Sequence, residues 1–548
     1  MLTGLMMDYP LTLTHFLERA RAFFPKREIV SRTPNGALHR YTYADYYART
    51  CQLAHALAKL GVKPGDRVAT LSWNHYRHFE AYFAVPCTGA VLHTLNLRLH
   101  ASELSYIAKH AGDSVIIVDR SLLGLLNGFK KDVPTLKHVI VVPDDGPTDD
   151  GALDYEAVIA NEPTTFEWPV LDERSAALMC YTSGTTGAPK GVLYSHRSTA
   201  LHTLMLCMVD TKGISERDAV MPVVPMFHAN AWGMAHAALA VGAKLVFPGP
   251  DLRPEAILDL MSGEHVTFAA AVPTIWLGAL ALLDEHPRRW DLSHVRMIAV
   301  GGAAAPIAMI QGFEKRHGIH IRHTWGMTET NPLATISRMK IGLDTGDARE
   351  FELRAKQGFV VPFVDQRHVD DEGRVLPWDG TQMGELEVRG PWVSSAYYEN
   401  SEGDDKFTKD GWFRTGDVVT IDAEGYVQIT DRAKDVIKSG GEWISTQALE
   451  NALMSHPAVL ESAVFAAQHE KWGERPLAAV VFKTGKSASK AELAAHIEGQ
   501  FAKWWMPDDY LFLGEIPRTS TGKFKKLELR ARYGDYLEKR AQRLSQKP

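Results

Sequence analysis

Short apolar, β-branched runs recur along the first part of the chain, with amphipathic helical stretches between them. Glu28–Arg32, Arg40–Tyr43, Val68–Ser72, Ala90–His93, Val115–Val118 and Val139–Val142 read as strands. Leu53, Ala54, Leu57 and Leu60 fall on one helical face, and Gly61 stops that helix. Lys63-Pro64-Gly65-Asp66 marks a turn, and a helix around Ala81 should end or kink near Pro86. Such alternation restricts the chain to layered α/β architecture with largely buried sheets. After a surface loop at Asp144–Gly151, a second α/β block runs from Ala176 to Val364. Leu386–Arg389, Trp412–Phe413 and Tyr426–Ile429, separated by Gly-containing turns, form a β-rich part.

Beyond Asp431–Lys434, helices are expected at Gln447–Met454 and Ala491–Phe501, and strands at Leu460–Ala466, Leu477–Phe482 and Tyr510–Leu513. The expected organisation is a large N-terminal α/β domain over residues 1–433, made of layered subdomains plus the β-rich part. A small mobile C-terminal α+β domain over residues 434–548 completes it, a normal domain size.

A chain of 548 residues can bury several cores without disulfide or metal staples. Its 45% apolar and 23% charged residues exclude a disordered, collagenous or coiled-coil chain. The formal charge of −6 lacks the basic footprint of a nucleic-acid binder. The Lys/Arg excess from Arg518 onward reads as a solvated helical tail. Cys51, Cys87, Cys180 and Cys207 lie far apart, so a reduced, cytoplasmic setting is expected. Met1–Asp8 makes a poor signal peptide. The longest apolar stretch, Ala269–Leu283, is broken by Pro273 and falls short of the ~20 residues of a membrane helix. No integral membrane segment is therefore expected.

The chemistry concentrates at Tyr181–Gly191, YTSGTTGAPKG, directly after the apolar strand Ala176–Cys180. Thr182, Ser183, Thr185 and Thr186 supply hydroxyl donors, while Gly184, Gly187 and Gly191 let backbone approach a ligand. Lys190 adds a point charge. Convergent donors of this kind suit a polyphosphate, and the Walker A spacing is absent.

This loop resembles the phosphate loop of the adenylate-forming superfamily. Further motifs of that superfamily follow in its order: MFHANAW at Met226–Trp232, GGAAAP at Gly301–Pro306 and WGMTET at Trp325–Thr330. Then come GELEVRG at Gly384–Gly390, FRTGD at Phe413–Asp417, DRAKDVIKSGGEWIS at Asp431–Ser445 and PRTSTGK at Pro517–Lys523. The resemblance covers nearly the whole chain and is nearest to medium- and long-chain fatty-acyl-CoA synthetases.

The resemblance implies an ATP-dependent acyl-CoA synthetase that uses ATP, Mg²⁺ and coenzyme A on a small carboxylic acid. It assigns Thr182 and Glu329 to the metal, and Lys190, His228 and Lys523 to the chemistry. Thr182, Ser183, Gly184, Thr185 and Thr186 would hold phosphates. Gly302, Ala303, His323, Thr324, Trp325 and Thr328 would line the nucleotide site, with Trp325 stacking on adenine. Asp417 would accept the ribose hydroxyls beside Arg432, and Lys434 would be the hinge of the small domain. Trp232 and Gly302 would line the acyl pocket. Lys438, Gly440, Gly441 and the aromatic gate Trp443 would border the adenylate and pantetheine path.

His317, His320 and His323 (HGIHIRH) read as ordinary residues of a short strand, not as a metal cluster. The alternatives are a ligase for short-chain, methylthio or aryl acids, an acyl-AMP ligase loading a carrier protein, and a catalytically silent nucleotide-binding protein. Assembly stays open, with a homodimer as one outcome.

Overall fold

The computed structural model describes residues 1–143, 151–182, 188–343, 346–400, 405–439, 442–518 and 524–545. By packing they form two units. The first holds the described residues up to Asp365 together with Arg389–Phe413; the second holds Gln366–Val388 and those from Arg414 on. The expected break at 433/434 concerns a rotation, a separate question from this grouping.

In the first unit the α/β rhythm builds two sheets. A seven-stranded sheet runs in the order Leu153–Asp154, His138–Val142, Asp113–Asp119, Arg67–Leu71, Val91–Thr94, Ala176–Tyr181 and Gly191–Ser195. All its pairs are parallel except the last, which turns back antiparallel around the phosphate loop. A nine-stranded sheet has a parallel centre that includes Ala219–Pro222, Phe268–Ala271, Met297–Val300 and Ile321–Gly326. The loops that hold the candidate site residues leave the C-terminal ends of these strands, where ligands bind in open α/β sheets.

Local chemistry fixes several boundaries. The strand expected at Arg40–Tyr43 is Leu38–Thr42, because Thr42 and Asp45 form a capping box that starts the helix Tyr43–Lys59 at Tyr43. Pro86 lies in the last turn of the helix Tyr76–Cys87, which ends one residue later, as expected of a residue that cannot continue the helix. The apolar run Ala269–Leu283 divides between the strand Phe268–Ala271 and the helix Pro273–Glu285, with Pro273 opening the helix. Its Trp276 is wholly buried among Ile257, Ile298 and Phe313. Among the described residues no helix is long and apolar enough to cross a membrane. The strand expected over the histidine run is corrected: His317 ends the helix Ile307–His317, closed by Gly318 at φ 66°, and only His323 lies in the strand Ile321–Gly326.

The second unit carries a four-stranded sheet of Asp365–Val369, Gly384–Arg389, Phe413–Ile421 and Val427–Arg432. A five-stranded sheet follows, built on the long antiparallel pair Val459–His469 and Gly473–Phe482. The edge strand Glu442–Ile444 pairs with Ile437–Ser439. Of Trp412–Phe413 only Phe413 is strand, opening the nine-residue strand Phe413–Ile421, and the helix expected at Ala491–Phe501 stops at Ile497, with Glu498 extended and Gly499 at φ 82°.

Candidate active site

In the first unit the rims of the loop between Thr182 and Lys190, the candidate phosphate loop, are tied together. The Thr182 N–H donates to the Lys190 carbonyl at 2.9 Å, and the Lys190 N–H donates to Thr182 Oγ1 at 3.0 Å. Ser183, Gly184, Thr185 and Thr186 lie outside the described residues, as do Gly440, Gly441 and Lys523.

Glu329 sits on the 3₁₀ turn Thr328–Thr330 that follows the strand Ile321–Gly326. The residue is 6% exposed, and its carboxylate accepts from the Tyr397 hydroxyl at 2.7 Å. Its carbonyl accepts from the Ser394 N–H at 2.7 Å, and the Thr328 carbonyl accepts from the Tyr194 hydroxyl at 2.6 Å. The other side of Tyr397 meets the loop lysine: Lys190 Nζ lies 4.9 Å from its ring centroid. Burial, and then the Glu329 charge, push the Tyr397 phenol above its ordinary range, so it stays a donor. One tyrosine thus joins the acid and the base that the motifs placed in separate roles. Sequence reasoning missed Tyr397; the only signal was its place shortly after GELEVRG.

His228 is half-buried and follows Phe227, which packs with Leu71, Leu95 and Val118 of the seven-stranded sheet's core. After it the backbone turns left-handed. Ala229, Asn230, Ala231 and Trp232 have φ of 42°, 53°, 53° and 53°, and Gly233 has 73°. Non-glycine residues rarely adopt this region, and four in a row set Trp232 in a fixed place. The Trp232 ring edge closes on Gly301 and Gly302. A Cβ on Gly301 would stand 3.1 Å from Trp232 Cη2 and 2.9 Å from Thr324 Oγ1. The close approach that these glycines permit is therefore made by the protein's own Trp232 and Thr324. Gly302, at φ 78°, and Ala303 are exposed.

Trp325 is buried in the strand beside Thr324. The ring of His323 turns inward, its Nδ1 2.9 Å from the carbonyls of Ala355 and Lys356, and burial lowers its pKa.

In the second unit Asp417 and Arg432 face each other across one antiparallel rung, with Arg432 Nε 2.7 Å from Asp417 Oδ1. The chain then turns tightly: the Asp435 and Val436 N–H groups both donate to the Arg432 carbonyl at 2.8 Å. The Arg530 guanidinium donates to the carbonyl of Lys434, and to that of Asp435 at 2.9 Å. Lys438 and Trp443 are cross-strand partners, with Lys438 Nζ 5.0 Å from the Trp443 ring centroid. The same ammonium pairs with Asp371 at 2.8 Å, in a small cleft also lined by Glu385 and Arg414.

The AMP-binding enzyme family matches residues 17–398, and the AMP-binding enzyme C-terminal domain matches residues 448–523. A long-chain-fatty-acid–CoA ligase of Thermus thermophilus is 49% identical over 97% of this chain and 97% of its own. A 3-methylmercaptopropionyl-CoA ligase of Ruegeria lacuscaerulensis is 42% identical over 97% of this chain and 99% of its own. The crystal structure of ATP-bound MatB from Rhodopseudomonas palustris is similar with a TM-score of 0.83 at 27% identity, covering 96% of this chain and 100% of that one. The α/β fold expected from the sequence, a large N-terminal and a smaller C-terminal domain, is the fold of these relatives. With its model matched over most of the length and relatives aligned nearly end to end, the chain belongs to the AMP-binding enzyme family, the adenylate-forming superfamily that its motifs resemble.

Proposed function

We infer that the chain is an ATP-dependent acyl-CoA synthetase, an acid–thiol ligase acting through an acyl adenylate. The ligase relatives and the ordered motifs support this. The observation that carries it is the junction of Lys190, Tyr397 and Glu329 at the rim of the phosphate loop.

In the first half-reaction a carboxylate oxygen attacks the α-phosphorus of ATP, and the bond to pyrophosphate breaks. The hydroxyls and N–H groups of the Thr182–Lys190 loop bind the departing phosphates, and Lys190 offsets their charge. A hard, buried carboxylate oxygen fits Mg²⁺, which uses few protein carboxylates. Glu329 and Thr182 would hold the ion, and bound there it supplies charge neutralisation at the phosphates. Tyr397 orients the Glu329 carboxylate. Asp417, fixed by Arg432, accepts the ribose hydroxyls, and Trp325, Gly302, Ala303, His323, Thr324 and Thr328 border the nucleotide. Lys523 contacts the carboxylate and an α-phosphate oxygen together.

In the second half-reaction the coenzyme A thiol attacks the acyl carbonyl, and AMP leaves with the electron pair of the broken C–O bond. Residues 434–548 rotate about Lys434 between the two steps. Lys438, Gly440, Gly441 and Trp443 then border the pantetheine path.

Medium- or long-chain fatty acids are the proposed substrates, entering beside His228, Trp232 and Gly302. The relative that takes 3-methylmercaptopropionate keeps a short thioether acid as the second reading. A cytoplasmic setting suits four free cysteines, three of them buried. The proposed assembly is a homodimer, which light scattering checks.

Product chromatography over a panel of carboxylic acids tests the reading. AMP, pyrophosphate and an acyl-CoA are expected in equal amounts; ADP as the main product, or AMP without thioester, overturns it.

A further inference from the structure

Lys212 lies in the loop after the helix His196–Cys207 and is 1% exposed. Among the described residues no carboxylate pairs with it, and burial alone pushes its pKa down to about 7. Its ammonium faces a ring: Nζ lies 5.8 Å from the centroid of Trp232. The far edge of that ring abuts Gly301 and Gly302, and its backbone is locked in the left-handed turn. Trp232 is thus clamped between a buried cation and a glycine pair.

We propose that Lys212 is the positioning residue for Trp232, and that its contact with the ring sets how long or bulky an acyl chain the pocket beside Gly302 admits. This rests on the reading of Trp232 and Gly302 as walls of the acyl site. A cation over an indole face is held by the ring's quadrupole, most strongly where water is excluded. A charged Lys212 therefore keeps the ring against Gly302 and the pocket short. A neutral Lys212 releases the ring.

The surroundings leave that charge to the ring. His202, on the helix His196–Cys207, is held neutral by burial and by Lys212 itself. His236, on the helix Met234–Val241, is pushed down to about 3 by burial. Arg296 donates to the Lys212 carbonyl at 3.0 Å, and its charge is matched by Asp218 at 2.7 Å.

Two measurements test the proposal. The first compares kcat/KM for a homologous series of straight-chain acids, at pH 6 and pH 8.5, in wild type, Lys212→Met and Lys212→Arg. In wild type the ratio of long to short acids should rise about three- to tenfold with pH, the size of a cation–ring contact. Lys212→Met should show the high ratio at both pH values, and Lys212→Arg, a permanent cation, the low ratio at both. Equal loss for every acid in Lys212→Met, or a pH-independent wild-type ratio, overturns the proposal. The second measurement needs no turnover and no variant at Lys212: the ¹⁹F resonance of Trp232 in 5-fluorotryptophan-labelled protein, assigned with Trp232→Phe. It should titrate with a midpoint near 7; a flat resonance overturns the contact itself. Failure of every acid to give AMP in wild type would instead strike the ligase reading.

Discussion

The Arg432 guanidinium and the Asp417 carboxylate meet at 2.7 Å across a single rung, the acid fully buried and the arginine half-exposed. One partner is thus fixed in the sheet while the other reaches toward solvent. Asp417→Asn keeps the shape and removes the charge proposed to accept the ribose hydroxyls. KM for ATP should rise about 10- to 100-fold, the worth of a hydrogen bond to a charged group. Steady-state kinetics at varied ATP checks this, and an unchanged KM removes Asp417 from the ribose.

Glu329→Gln should lower kcat by orders of magnitude and alter the Mg²⁺ dependence, while the melting temperature stays close to wild type. Tyr397→Phe removes only the hydroxyl that orients the carboxylate. Its loss should be smaller, about tenfold, the worth of one such bond. Mg²⁺ titrations of both variants separate holding the ion from orienting its ligand. Equal losses in the two would make Tyr397 a direct participant.

Lys212 makes stability depend on pH in a definite direction. Its folded pKa of about 7 lies below the ordinary lysine value of about 10 that it regains on unfolding. Between those values the unfolded chain holds a proton the folded chain has released, so stability should rise with pH across that window. The full penalty applies below pH 7. Urea unfolding of wild type against Lys212→Met should show a difference in slope of about one proton, steeper in wild type. Parallel curves would mean that the amine is not desolvated.

Lys523→Ala should cripple adenylation and spare thioester formation from supplied acyl adenylate. Lys434→Pro should do the reverse, because a fixed φ obstructs the rotation. Arg530→Ala frees the carbonyls of Lys434 and Asp435 and should alter the second half-reaction more than the first. Single-turnover assays of each half-reaction decide. Loss of the same half-reaction in all three variants would end the rotating-domain account.

The strand Glu28–Arg32 was legible to the residue, because its apolar run is bounded by polar residues on both sides. At Tyr181–Gly191 the sequence pointed to phosphates because so many hydroxyls and glycines closed by lysine have few other uses; of that loop the structure describes the tied rims Thr182 and Lys190. Tyr397 was not, since its contact with Glu329 spans 68 positions and no local pattern encodes it. Lys212 was missed because lysine is ordinarily a surface residue. The turn after His228 was hidden as well: Ala229, Asn230, Ala231 and Trp232 hold no glycine to announce a left-handed backbone. Tertiary packing chose these conformations over local preference.

That left-handed turn couples backbone stability to the placement of one ring. Left-handed backbone costs an alanine about 1–2 kcal/mol, and glycine escapes most of it. A selection for heat resistance would therefore find Ala229→Gly and Ala231→Gly attractive. Both substitutions also loosen the backbone that presents Trp232, so, with Trp232 as the proposed wall of the acyl pocket, heat-hardened variants would drift in which acids they accept. Stability and acyl preference would then change together, through two alanines separated by one residue.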